Sequence, residues 1–261
     1  MSSPVDAPSE VDARLFDDPP VMGPETFNVL LYGPPGTGKT TAAATAPGPI
    51  VWVNLEGTGA MSYARRLAAE RGTELLEMQL RPDEDPRERL RQAVHYCRTN
   101  QPGTLVIDTW GKVRGQLAQA IGGDSPSLPE WGMIGKELRT ILQTLRDMPV
   151  NVVLICHEAI TEEDGAVIIQ PEIGGRSTGE AMAEVDIVGY TGIVEEDGKR
   201  VYMARLIDGN GRRAKDRSGA LGTHRELDLS EWLETFKAAL ATDLSDVPFL
   251  TSEEDKEQTD D

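Results

Sequence analysis

The chain is short of almost everything that holds small secreted or zinc-dependent scaffolds together. It has two cysteines, Cys97 and Cys156, and three histidines, His95, His157 and His224, in 261 residues. The cysteines lack the spacing of a disulfide framework or a metal site, and His95 and Cys97, two apart on a predicted helix, point to different faces. Both thiols are expected to be reduced and structural. No run approaches the roughly 20 apolar residues of a membrane helix, and the first residues lack the basic end and apolar stretch of a signal peptide. A cytoplasmic protein with no membrane partner is expected. Positive charge is scarce too: 26 Lys and Arg stand against 44 Asp and Glu, a formal charge of −18. A simple nucleic-acid coat needs the opposite balance.

What is present suits a globular enzyme or switch, with 39% apolar residues and a length for one large domain. Acidity concentrates at the ends. Residues 1–24 hold five acids and one base, and residues 242–261 eight acids and one base. Both segments are poor in aromatics and cannot bury enough apolar area to offset ordering entropy. The expected organisation is a disordered acidic tail over 1–24, one folded domain over 25–241 and a second disordered acidic tail over 242–261.

Inside the domain, strand and helix patterns alternate. Apolar runs at Phe27 to Tyr32 and Ile50 to Asn54 flank a small-residue stretch, Thr40 to Ala46, suited to a crossover helix. Helices are expected over Met61 to Glu70 and Arg87 to Arg98, and strands over Glu74 to Gln79 and Leu105 to Asp108. From Glu130 to Met148, apolar residues at steps of three and four line one helical face. They lead into Asn151 to Cys156, a continuous apolar run that reads as a parallel strand buried on both faces. Asp164-Gly165 and Asp197-Gly198 are hairpin-turn dipeptides beside β-type runs at Val167 to Gln170, Val185 to Tyr190 and Val201 to Ile207, so the C-terminal third is expected to be antiparallel. Ser177 and Glu180 are spaced as a capping box for a short helix, and a last helix is expected over Ser230 to Leu240. The fold class is α/β: a mainly parallel, doubly wound sheet, extended by antiparallel C-terminal hairpins.

Directly after the first strand stands Gly33-Pro34-Pro35-Gly36-Thr37-Gly38-Lys39-Thr40-Thr41, which satisfies G-x-x-x-x-G-K-[ST] in the strand-loop-helix setting that the chemistry needs. Glycines let successive backbone N–H groups turn inward around phosphate oxygens, and the following helix adds its positive end. Lys39 is placed to reach the β and γ phosphates of ATP. The Thr40 hydroxyl is a ligand for Mg2+, and Asp108, ending the buried run Thr104-Leu105-Val106-Ile107-Asp108, is the second anchor. An Asp in that position can also be a turn or helix cap.

Many AAA+ ATPases spell the loop in the same way but place a Glu directly after the strand-end Asp, where this chain has Thr109 and Trp110. Glu56, ending Ile50-Val51-Trp52-Val53-Asn54-Leu55-Glu56 at the sheet's carboxyl edge, stands instead where RecA-like ATPases put their catalytic Glu. Its alternative is a capping acid at a strand-to-helix turn. His157 ends the Asn151 to Cys156 strand at the position of a γ-phosphate sensor, or is a structural His. Lys215 and Arg217, two apart and so on one face of a strand, resemble the finger that RecA-like subunits insert into a neighbour's nucleotide site; the alternative is a solvated basic face with Arg212 and Arg213.

Taken together, GPPGTGKTT, VNLEG, LVIDTWGKV, WGMIGKELRTILQTLRDMPVNVVLICHE, AEVDIVGY and AKDRSGAL resemble the phage-encoded, single-domain RecA-like ATPases of the phage nucleotide-binding family, which includes Sak-type recombination proteins. The similarity covers about residues 27 to 222. It implies a RecA-like P-loop NTPase core and an ATP-dependent, magnesium-requiring recombinase or annealing protein that forms rings or filaments on single-stranded DNA with help from a single-strand-binding protein. Two departures stand against the DNA part. His157 replaces the Gln of the bacterial recombinases, and the loop after it carries Glu158, Glu162, Glu163 and Asp164, which repel phosphates. Contact with DNA would fall to Lys112, Arg114, Arg212 and Arg213. The alternatives are a nucleotide-dependent assembly switch for a protein partner and an AAA+ remodelling ATPase, the latter requiring a small helical lid. Gly175-Arg176-Ser177-Thr178-Gly179 matches the hydrolase pattern G-x-S-x-G but does not directly follow a strand, so no nucleophile is expected there.

Overall fold

The computed structural model describes residues 26–240; the two acidic tails expected from composition lie outside the described residues. The described residues open with strand β1 (Asn28–Tyr32), the P-loop, and helix α1 (Lys39–Ala43). It continues through β2 (Ile50–Asn54), a 3-10 turn (Thr58–Met61), α2 (Ser62–Glu70), β3 (Leu75–Gln79), α3 (Pro86–Asn100), β4 (Thr104–Asp108), α4 (Trp110–Gly122), α5 (Leu128–Arg146) and β5 (Asn151–Cys156). Then come β6 (Glu158–Glu163), β7 (Ala166–Pro171), α6 (Arg176–Glu184), β8 (Ile187–Glu196), β9 (Lys199–Arg205), β10 (Lys215–Asp216), β11 (His224–Glu226) and α7 (Leu229–Leu240).

The main sheet runs β11-β9-β8-β1-β5-β4-β2-β3, with β10 on β8, and β6 pairs only with β7. From β8 to β3 every neighbouring pair is parallel; β9, β10 and β11 are antiparallel additions. Alternate residues of the central strands enter opposite faces, as a pleated strand requires. Leu30 and Tyr32 join a core with side chains of α3, α4, α5 and α6, while Val29 and Leu31 join one with α1, α2 and α7. Leu138 of α5 is fully buried in the first. Leu138→Ala is expected to cost about 2–5 kcal/mol, seen as a lower urea midpoint at unchanged slope.

Several sequence expectations change. Residues 110–122 form α4, a helix that the glycines at 111 and 115 concealed because glycine is a poor helix former. Tertiary packing imposes it: Trp110, Val113 and Leu117 are buried on one face, and a Cβ at Gly111 would lie 2.4 Å from the Glu172 carbonyl oxygen, so only glycine fits that close approach. Met148 falls beyond α5, whose start carries the capping box the sequence reading put elsewhere, Ser127 with Glu130. Ser177 is not a cap: it lies inside α6, buried, with Gly175 at the N-cap. The Thr178 hydroxyl accepts a bond from the Gly174 N–H at 3.0 Å instead, and Glu180 pairs with Arg139. The C-terminal third is not wholly antiparallel either, because β8 enters the sheet parallel to β1.

Both Asp-Gly turns form as expected. Asp164, Gly165, Asp197 and Gly198 all have positive φ, the type I′ conformation that matches strand twist. The second turn closes a long hairpin. β8 pairs with β1 only as far as Tyr32↔Tyr190, while its pairing with β9 runs from Tyr190 to Glu196. The hairpin therefore projects past the end of β1, on the side where the P-loop stands. Among the described residues no helix is long and apolar enough to cross a membrane, and β6, β7, α6, β8 and β9, rather than a helical lid, follow β5.

Candidate functional site

The P-loop residues fold into a turn whose glycines 33, 36 and 38 all have positive φ. Gly38 is the N-cap of α1 at φ 88, and a Cβ there would meet Tyr202 Cδ1 at 3.1 Å and Leu227 Cδ1 at 3.2 Å. A side chain at 38 would carry both strain and a clash. The loop is anchored from behind: Thr37 Oγ1 lies 2.6 Å from Thr191 Oγ1 and donates to the Pro34 carbonyl at 2.8 Å. Thr191, fully buried on β8, donates in turn to the Tyr32 carbonyl at 3.2 Å. No spacing rule reveals Thr191, since it lies more than 150 residues from its partners.

Lys39 is buried, and its Nζ donates to the carbonyls of Gly33 at 2.8 Å and Pro34 at 2.7 Å. Burial pulls its pKa below the usual lysine value, with the Asp108 carboxylate opposing. The ammonium is thus held over the loop by the loop's own oxygens, a position from which a phosphate could take it.

Thr40 Oγ1 donates to Asp108 Oδ2 at 3.2 Å, so the hydroxyl and carboxylate named for Mg2+ stand side by side. Asp108 is nearly fully buried, and burial, then the nearby Glu56 charge, pushes its pKa up to about 6. One carboxylate and one hydroxyl, both hard oxygen donors, fit Mg2+, which takes few protein ligands and fills its octahedron with phosphate oxygens and water.

Glu56 stands at the rim. Its carboxylate accepts from Thr109 Oγ1 at 3.1 Å, pairs with Lys112 Nζ at 3.0 Å and lies 3.5 Å from His157 Nε2. Partial burial would raise its pKa, but the Lys112 ammonium and the Thr109 hydroxyl outweigh that and hold it below the usual glutamate value. Lys112 also donates to the Leu55 carbonyl at 3.3 Å. Sequence reasoning assigned Lys112 to DNA; the fold gives it to Glu56, because α4 starts where β4 ends.

These residues share one cleft of about 1010 Å³, lined by Pro35, Gly36, Gly38, Lys39, Thr40 and Thr41 of the P-loop and by Glu56, Asp108, Thr109 and His157 at one end. Its far side is built by Tyr63 and Arg71 from α2 and its end, by Lys199 to Tyr202 of β9 and by Glu226 to Asp228. Lys215 and Arg217 are not among its lining residues. Lys215 Nζ donates to the carbonyls of Met182, Ala183 and Val185, at 3.2, 3.1 and 2.6 Å, satisfying the end of α6 as a cation does at a helix C-terminus. Arg217 pairs with Asp186 at 2.7 Å. The other basic residues named for DNA are engaged too: Arg114 stacks over Trp131, Arg212 over Tyr190, and Arg213 pairs with Glu163 and Asp208.

The family model described as an AAA domain matches residues 25–218. No curated protein matches the chain.

Proposed function

Because the chain belongs to the AAA domain family of P-loop ATPases, we propose that it binds and hydrolyses ATP with magnesium at the cleft around Lys39. The observation that carries this reading is the convergence of Lys39 and Thr40, Glu56, and Asp108, from three separate stretches of chain, on one cleft. The loop amides and Lys39 would hold the β and γ phosphates. Thr40 and Asp108 would hold Mg2+, which neutralises charge on the phosphates when bound. Glu56 would orient the attacking water, with its low pKa making orientation rather than strong basicity its contribution. His157, 3.5 Å from Glu56, would register the γ phosphate.

For the biological task, the order of motifs from residue 27 to 222 supports a RecA-like phage recombination or single-strand annealing ATPase. In this reading it acts as a homo-oligomeric ring or filament on single-stranded DNA, with a single-strand-binding protein as helper and with Lys215 and Arg217 reaching a neighbour's site. A specific observation favours a second reading, a nucleotide-timed assembly switch for a protein partner. Lys112 and Arg213 are ion-paired within the chain, and Arg114 and Arg212 are stacked on rings, so DNA would compete with a contact that each already makes.

ATPase rate measured with and without single-stranded DNA, across salt concentrations, separates the two. The recombination reading expects stimulation and binding that weakens steeply with salt, because each phosphate contact releases counterions. An unchanged rate and no salt-sensitive binding would reject it in favour of the switch.

A further inference from the structure

The cleft is lined by four cations, Lys39, Arg71, Lys199 and Arg200. Arg71 is committed to Asp228 at 2.7 Å, and Lys39 belongs to the P-loop. Lys199 and Arg200, at the start of β9, are exposed; Glu196 and Glu195 stand opposite them across the hairpin, but neither cation is within ion-pair distance of a carboxylate among the described residues. They sit where β8 and β9 project beyond β1, beside the Asp197-Gly198 turn.

The register of the hairpin sets their direction. The ring of Tyr202 lies against Gly38, close enough that a Cβ there would come within 3.1 Å of it. Residues two apart on a strand share a face, so Arg200 is on the P-loop side with Tyr202; Lys199 is at the alternate position and joins the cleft lining from beside the turn. The hairpin is also tied to the loop through Thr191, whose hydroxyl meets that of Thr37 at 2.6 Å. Its lever is therefore held at both its base and its middle.

Charge balance says why such cations are needed. Glu56, Asp108, Glu226, Asp228 and Glu231 also line the cleft, and a triphosphate brought among them meets repulsion that Lys39 and one divalent ion must offset. The residues first assigned as fingers cannot help in the same chain, since Lys215 and Arg217 are bonded to α6 and Asp186.

We propose that Lys199 and Arg200 are phosphate-binding cations of the nucleotide site in the same chain, carried over the P-loop by the β8–β9 hairpin. The assignment deepens the ATP-binding reading and rests on it. Because the contacts are to phosphate charge, they act on affinity more than on the chemical step, and more strongly for ATP than for ADP.

The test uses the full chain with Arg200→Ala, Lys199→Ala and the double variant, each measured for ATP and ADP binding by titration calorimetry and for KM and kcat. Both residues are exposed, so folding should be unaffected, which circular dichroism checks. The double variant is expected to bind ATP about tenfold or more weakly, with a smaller loss for ADP, a raised KM at nearly constant kcat, and Arg200→Lys recovering most of the affinity. Equal ATP affinity and KM in parent and double variant would overturn the proposal. In a second arm the double variant is mixed with Lys39→Ala chains. At an ATP concentration near the parental KM, where the double variant is slow, action within one chain predicts no recovery of rate on mixing, whereas recovery would show the cations serving a neighbour and overturn the assignment. Failure of the parent chain itself to bind ATP would instead sink the underlying ATP reading.

Discussion

Glu56→Gln is expected to bind MgATP with nearly parental affinity while turning it over about 10²–10⁴-fold more slowly, the range lost with a positioned acid–base group. The amide keeps the size of the side chain and can still accept from Thr109 Oγ1, so the rim should not collapse. It forfeits the charge paired with Lys112 at 3.0 Å and the full acceptor capacity needed to align a water. Affinity is spared because the phosphates are assigned to Lys39 and the loop amides at the cleft's floor. Single-turnover hydrolysis measured beside equilibrium ATP binding checks both halves. A variant that hydrolyses at the parental rate would remove Glu56 from the mechanism and leave it the turn-capping role that its position also allows.

The second large effect belongs to Lys39. Lys39→Ala should weaken ATP binding by about 10²-fold to several 10³-fold, since removing one partner of a buried charge pair costs about 3–5 kcal/mol and each 1.4 kcal/mol is a factor of about ten. The fold should survive, because the ammonium's bonds are to Gly33 and Pro34 of its own loop and not to the sheet. Binding of a labelled ATP analogue with magnesium, read together with far-UV circular dichroism, distinguishes a lost ligand contact from a lost fold. Undiminished binding by a folded variant would contradict the phosphate role. The two variants are also complementary: one should bind without turning over, and the other should scarcely bind.

Much of the site was legible in residue order. The P-loop is a local object: its glycines, Lys39 and Thr40 act within nine consecutive residues, so their spacing carries their geometry. Asp108 and Glu56 could be placed because one ends buried β4 and the other follows buried β2 by two residues, and strands of a parallel sheet deliver their ends to one edge. The Asp-Gly turns were readable for the same local reason, as positive φ at two successive positions selects those residues.

Other assignments depended on approach between distant segments. Ser177 and Glu180 have the spacing of a cap, yet the chain enters α6 through Gly174 and Gly175, which moves Ser177 into the helix. Lys112 reads as a surface cation until α4 is known to begin beside β2's end. Lys215 and Arg217 have the spacing of a finger, but the fold brings them to α6 carbonyls and Asp186.

Local order, then, specifies an α/β chain with a P-loop, an acid ending a buried strand and a second acid at the sheet's edge, because each is written in a few adjacent residues. The partners of those groups came only with three-dimensional packing: Lys112 on Glu56, Thr191 behind Thr37, Tyr202 against Gly38. Each of these contacts joins residues more than 50 positions apart, and such proximity is set by how helices and strands cover one another, not by any spacing along the chain.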